Sequence, residues 1–93
     1  MELKQERNRI FAENESGSIV AEVIFPDIDE QTVNIDHTFV DDSLRGQGIA
    51  GKLMEATAAL LRQQNRKARL TCSYAVKWFD NHPEYYDIRI NKL

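Results

Sequence analysis

The residues Arg45-Gly46-Gln47-Gly48-Ile49-Ala50-Gly51 combine types and spacing that build a binding site from backbone alone. They lie between a segment patterned like a strand and one patterned like a helix. The first N–H groups of a helix have no intrahelical acceptor, and the helix dipole adds partial positive charge there. Glycines let an anion reach those groups without meeting a Cβ. The chemistry on offer is recognition of a phosphate or pyrophosphate, so a phosphate-bearing cofactor is expected.

Such a turn must be held by a strand before it and a helix after it. Thr32 to Val40 alternates, with Val33, Ile35, His37 and Phe39 on one face and Asn34, Asp36 and Thr38 on the other. Upstream, 7–13 and 18–25 read as strands joined by the turn Asn14-Glu15-Ser16-Gly17. Pro26 ends the second of them because it has no N–H to give to a ladder, and 27–31 reads as another turn. The three strands predict an antiparallel meander. After the glycines the period changes to about 3.6 residues. Ile49, Leu53, Ala56, Leu60 and Leu61 then share a face, which predicts a helix over 48–64. Residues 68–72 read as a strand, and a crossover of this length makes the strands it joins parallel. Ser73 is expected to cap a second helix over 75–81, closed by His82-Pro83, and 86–90 reads as a last short strand. The expected fold class is α/β: a meander, then a strand–helix–strand crossover, in one domain over residues 1–93.

Composition narrows the function classes. With 42% hydrophobic and 29% charged residues the chain has an ordinary folded composition. No apolar run approaches the ~20 residues needed to span a bilayer, and the start of the chain lacks an apolar signal core. No membrane association and a cytoplasmic location are therefore expected. Cys72 is the single cysteine, which excludes an internal disulfide and a cysteine-based zinc site; no metal is expected. The net charge of −3 conceals an asymmetry: residues 1–43 carry −8 and residues 44–93 carry +5. A basic half containing the glycine turn suits a polyanionic cofactor, and an acidic half would attract a cationic substrate. Nucleic acid is not an expected partner, because no basic stripe with interleaved aromatics is present.

Two cofactors compete for the turn. Gly46-Gln47-Gly48-Ile49-Ala50-Gly51 matches the G-x-G-x-x-G pattern of dinucleotide folds, but the next strand, 68–73, has no acidic residue for a ribose. The second reading accounts for more residues. Arg45-x-x-Gly48-x-Ala50 fits the Gln/Arg-x-x-Gly-x-Gly/Ala motif of the GNAT superfamily of acetyl-CoA-dependent N-acetyltransferases, and 39–53 resembles its strand–turn–helix signature. Downstream, Cys72-Ser73-Tyr74-Ala75-Val76-Lys77-Trp78-Phe79 with His82-Pro83-Glu84-Tyr85 resembles a small GNAT-like subgroup made of little more than the CoA-binding core.

That resemblance implies acetyl-CoA (or CoA) as cofactor and a primary amine of a small molecule or protein, a lysine or N-terminus, as acceptor. Backbone N–H groups of the turn (Gly46, Gln47, Gly48, Ile49, Ala50 and Gly51) would hold the pyrophosphate, with Arg45 and Lys52 as phosphate cations. The alternative for Arg45 is a plain surface side chain. The pantetheine arm would pair with the strand ending at Phe39-Val40, whose N–H groups would also polarise the thioester carbonyl. The cofactor would lie where that strand splays from its neighbour, before Cys72.

A lysine-like amine titrates near ~10.4 and needs a base at neutral pH. His37 lies on the strand where many GNAT enzymes place one. By its face it reads equally as a core histidine satisfied by a hydrogen bond. Cys72 would accept acetyl as an intermediate, with His37 as its base, or simply pack as a small hydrophobe. Direct attack by the amine is the simpler course. The tyrosine that serves as general acid in many family members falls on Phe79, leaving Tyr74, Tyr85 and Tyr86 as substitutes. The helices that shape the acceptor pocket in larger members are absent, which suits a bulky acceptor or a site completed by a second subunit; a monomer or weak homodimer is expected. The alternative function is a CoA-binding module without turnover.

Overall fold

The computed structural model describes residues 2–90. In chain order they form β1 (Lys4–Glu6), β2 (Arg9–Glu13), β3 (Ile19–Ile24), β4 (Asp27–Asp29), β5 (Thr32–Ile35) and β6 (His37–Val40). A 3-10 turn (Asp42–Leu44), α1 (Ile49–Gln63), β7 (Lys67–Leu70), α2 (Ser73–Asp80) and a 3-10 segment (Pro83–Ile88) follow. One sheet has the order β1-β2-β3-β6 and is antiparallel throughout; the other has the order β4-β5-β7, with β5 and β7 parallel.

The expected single strand over Thr32 to Val40 is two strands, and the break decides the architecture. Asn34 N–H donates to Pro26 C=O and Asp36 N–H to Ile24 C=O, whereas β6 pairs Ile24 with His37 and Ala21 with Val40. One extra residue has entered this strand, so Asp36 and His37 together oppose Ile24. That is a β-bulge, and it reverses the alternation of side chains beyond it. Val33 and Ile35 point into the core and are fully buried; past the bulge the inward positions are Thr38 and Val40, while His37 and Phe39 are exposed on the outer face. The shared face expected for Val33, Ile35, His37 and Phe39 is thus corrected, and His37 is not a core histidine.

The bulge also parts the sheets. Ile35 C=O accepts from both Thr71 N–H and Cys72 N–H, which closes the β5–β7 ladder. Beyond it β6 stays with β3 while the chain after β7 turns into α2. The parallel pairing expected across the crossover therefore forms between β5 and β7, and β6 keeps an open edge.

α1 lies across the inner faces of both sheets, touching β2, β3, β6 and β7. Ile49, Leu53, Met54, Ala58, Leu60 and Leu61 bury there against Ile10, Val23, Val33, Ile35 and Leu70. Thr57 is buried among them, and its hydroxyl donates to Leu53 C=O at 2.8 Å, so that hydroxyl is not orphaned. Asp27 braces the end of the molecule away from the glycines, accepting from Asn8, Arg7 and the buried Arg66. Those bonds hold its carboxyl below the usual carboxylate range, Asn8 contributing most.

Other expectations shift at their edges. β1 and β4 are short, exposed strands that the pattern does not announce; 27–31 reads as a turn, yet its first residues pair with β5. Ser73 is the first residue of α2 and not its cap: Cys72 holds the N-cap position without a side-chain bond, and the helix ends at Asp80. The strand expected over 86–90 is largely the 3-10 segment, followed by one bridge between Ala68 and Arg89. There Trp78 stacks on His82 at 3.8 Å, and Arg89 reaches Asp80 at 2.7 Å, so side-chain packing supplies what a ladder would have.

Candidate functional site

Gly46 and Gly48 adopt φ of +83° and +72°, the left-handed region that costs an L-residue about 1–2 kcal/mol. No heavy atom lies within 4 Å of where a Cβ would stand on either, so the space above the turn is open. Gly48 is the N-cap of α1 with no side-chain cap, and the first turn of the helix contains no acidic residue to satisfy its N–H groups. The first intrahelical bond runs from Lys52 N–H to Gly48 C=O at 3.1 Å, which leaves the N–H groups of Ile49, Ala50 and Gly51 facing an open cradle. The turn before it is pinned by Asp41, which accepts from Ser43 N–H at 3.0 Å and Ser43 Oγ at 2.6 Å. Those bonds keep the Asp41 carboxyl below its ordinary range.

Two adjoining pockets continue from the cradle. One, about 190 Å³, is lined by Val40, Leu44, Arg45, Gly46, Gly48, Ile49, Ala50, Gly51 and Tyr74. The other, about 440 Å³, shares Val40, Arg45, Ala50 and Tyr74 with it and adds Thr38. Together they run from the glycines along the open edge of β6 toward the split between β6 and the end of β7. Asp41 N–H donates to Val20 C=O, and alternation along the antiparallel ladder then turns the polar groups of Phe39 and His37 toward β3. Those of Thr38 and Val40 face the groove. Val40 is therefore the backbone donor suited to a carbonyl or amide in the groove, and Phe39 is not.

At the split, Thr38 Oγ1 lies 3.5 Å from Cys72 Sγ. Cys72 is a free, half-buried thiol. His37 does not join it: the bulge turns His37 to the outer face while Thr38 and Cys72 meet on the inner one. The candidate catalytic pair of the sequence is thus divided between the two faces of β6.

The remaining expected residues separate in the same way. Arg45 reaches the groove but is already paired with Asp42, Nε to Oδ1 at 2.9 Å, both side chains being exposed. Gln47 and Lys52 are exposed and line neither pocket. Phe79 is fully buried in the core, so nothing at its position meets the groove. Of the three tyrosines, Tyr85 stacks on Trp78 under Arg62, and Tyr86 donates to Asp80 C=O at 3.2 Å. Tyr74 alone of them lines the groove. Burial, and secondarily its neighbour Cys72, push its phenol above the ordinary tyrosine range, so it carries its proton at neutral pH. Thr38 and Leu44 line the groove without having been singled out from sequence; Thr38 was detectable as the residue that alternates with Val40.

Among the described residues no helix is long and apolar enough to cross a membrane, and no group of His, Cys, Asp or Glu side chains could hold a metal ion.

Comparison with known proteins agrees with this geometry. Residues 9–88 match the family model described as GCN5-related N-acetyl-transferase. The solution structure of a GCN5-like protein from Staphylococcus aureus superposes with a TM-score of 0.81 at 32% identity, covering 99% of this chain and 90% of that one. A GNAT family N-acetyltransferase of Escherichia coli (YhbS), solved in complex with CoA, is 27% identical with a TM-score of 0.55, covering 62% of this chain and 35% of that one. Protein NATD1 of Xenopus tropicalis is 35% identical over 63 residues, 68% of this chain but only 58% of that relative's length. The fold is the small mixed α/β fold of these structures, and the chain belongs to the GCN5-related N-acetyltransferase family.

Proposed function

We propose that this protein binds acetyl-CoA along the groove and transfers the acetyl group to a primary amine. The observation that carries the reading is the open cradle at Gly46 and Gly48, continuous with the unpaired edge of β6. The pyrophosphate fits the N–H groups at the start of α1, and the pantetheine amides fit Thr38 and Val40 as a short added strand. The CoA complex of the Escherichia coli relative supports the same cofactor here. The subgroup implied by Cys72-Ser73-Tyr74 and His82-Pro83-Glu84-Tyr85, a single N-acetyltransferase domain over residues 1–93 and a cytoplasmic setting are parts of the same proposal.

With the cofactor filling the inner side of β6, the outer side is left for the amine, and His37 is there to take a proton from it. The nitrogen lone pair attacks the thioester carbonyl carbon, the C–N bond forms and the C–S bond breaks. One proton leaves through His37 to solvent, and the second ends on the CoA sulfur, for which Tyr74, the one tyrosine among the described residues that lines the groove, is the candidate donor, regaining its proton from the amine side or solvent. Direct transfer is favoured over an acetyl-cysteine intermediate because Cys72 faces Thr38 and has no hydrogen bond to a base among the described residues. Cys72 and Thr38 would then flank the thioester.

Calorimetric titration with acetyl-CoA, with NAD as matched control, tests the cofactor: saturable binding of acetyl-CoA only is expected, and binding of NAD alone or of neither ligand refutes it. Turnover with a panel of primary amines tests the reaction. His37→Ala is expected to lower kcat by about a hundredfold or more while leaving cofactor affinity intact. The rival, a CoA-binding module without turnover, draws support from the buried, apolar Phe79 where the family's acid stands. Binding without acetylation of any amine would favour it.

A further inference from the structure

Trp78 is the single tryptophan of the chain and is only 8% exposed, yet its polar end is unused. The ring is clamped: it stacks on His82 at 3.8 Å and on Tyr85 at 5.8 Å, and meets Phe79 edge-on at 5.0 Å. Its indole N–H has no hydrogen-bond partner among the described residues, and Nε1 is not sealed from solvent as the orphaned atoms of Asn34, Arg66 and Arg89 are. The small open part of this side chain therefore includes its one donor.

That donor has a definite place. Tyr74 and Trp78 lie one turn apart on α2 and share a face. A Cβ on Gly51 would stand 3.7 Å from Trp78 Nε1 and 3.9 Å from Tyr74 Oη, so both polar atoms converge beside Gly51. Gly51 is the third residue of α1, its N–H has no intrahelical acceptor, and with Tyr74 it lines the pocket of about 190 Å³. The partner suited to this place is an acceptor carrying negative charge. An indole N–H can only donate, the start of a helix is positive, and no acidic side chain stands in the first turn of α1.

We infer that Trp78 is a further cofactor-binding residue, its indole N–H donating to a phosphate oxygen of CoA beside the first turn of α1. This rests on the acetyl-CoA reading above and adds to the backbone cradle a side-chain donor from α2. The three neighbouring rings fix the indole before the ligand arrives, so little side-chain freedom is lost on binding. Because Tyr74 lies one turn earlier on the same helix, the bond from Trp78 also holds Tyr74 in register with the cofactor.

The test uses the whole protein labelled with nitrogen-15, in which a single tryptophan gives a single indole N–H signal. Titration with CoA is expected to move that signal downfield, saturating with the amides of Ile49, Ala50 and Gly51. Pantetheine, which has no phosphate, should leave it in place. Trp78→Phe keeps an aromatic ring and removes the N–H. Its affinity for CoA is expected to fall about tenfold, with affinity for pantetheine unchanged. A merely structural role would weaken both ligands alike. An indole signal indifferent to bound CoA, one moved equally by pantetheine, or a Trp78→Phe variant that binds CoA as wild type does would each overturn the inference. So would inorganic pyrophosphate moving the indole where CoA does not, which would make this a site for free anions. The wild-type signal decides even if the variant fails to fold. Absence of any CoA binding in calorimetry refutes the cofactor reading and this inference with it, whereas binding without an indole response refutes the inference alone.

Discussion

The two sides of β6 are built on different principles. The inner side is a backbone site: two glycines at positive φ, the start of α1 and the free edge of a strand. The outer side is a side-chain surface, whose occupants are decided by one bulge at Asp36 and His37. A backbone site tolerates changes in neighbouring side chains but not a Cβ in the wrong place. A side-chain site depends on the parity of the strand, which one inserted residue reverses. The two sides should therefore fail differently when disturbed.

Deleting Asp36 attacks parity directly. Without the extra residue, either Val33 and Ile35 or Thr38 and Val40 must turn to the wrong face. Expelling two buried aliphatic side chains costs about 3–6 kcal/mol, enough to unfold a domain of this size. Circular dichroism and thermal melting should show a largely unfolded chain; a native melt would mean that the bulge is not what sets the faces.

Gly48→Glu attacks the backbone site and spares the fold. The strain at φ +72° costs about 1–2 kcal/mol, a drop of several degrees in Tm, because no atom lies within 4 Å to clash. The carboxylate would occupy the cradle, and acetyl-CoA affinity should fall by more than about a hundredfold in calorimetry. Unchanged affinity would remove the pyrophosphate from this turn.

Acid should loosen the braces common to both sides. Asp27, held down by Asn8 and two arginines, Asp87, held down by Arg62, and Asp41, held down by Ser43, all titrate below their ordinary values. Their contribution to stability is complete above about pH 4 and is lost as pH falls through the lowered values. The Tm should be flat from pH 7 to about 5 and decline below about 4. A constant Tm down to pH 2 would show that these bonds contribute nothing.

Gly51→Ala should have the smallest effect. Its Cβ would lie 3.7 Å from Trp78 Nε1 and 3.9 Å from Tyr74 Oη, ordinary contacts, and the residue sits within a helix. A gain of up to about 1 kcal/mol in stability with cofactor affinity intact is expected. A loss of affinity would mean that the cofactor approaches Gly51 as closely as it does Gly48.

Legibility divides along the same line. The glycine turn and α1 were readable because positive φ and a period of about 3.6 residues are local properties, written in the residues that have them. The helix expected over 48–64 forms as Ile49–Gln63 with Gly48 as its cap. His37 was read onto the wrong face because alternation through Thr32–Val40 is unbroken in the residue types. Asp36 carries no glycine or proline to mark a bulge, and the signal lies in β3, whose Ile24 receives two partners. Tyr74 could not be ranked above Tyr85 and Tyr86 from sequence, since all three sit near helix ends. Stacking under Arg62 and bonding to Asp80 removed two of them.

By itself the sequence determined the class of fold, the glycine turn at the start of α1 and the identity of the residues available for chemistry. Backbone propensity and periodicity act over a few neighbours, so one chain suffices to read them. Only the tertiary structure decided which of those residues meet. Register between strands is a non-local quantity, set by how the buried faces of β5, β6 and α1 are satisfied together. One bulge in that register brought Thr38 to Cys72 and turned His37 to the opposite face of the strand from them.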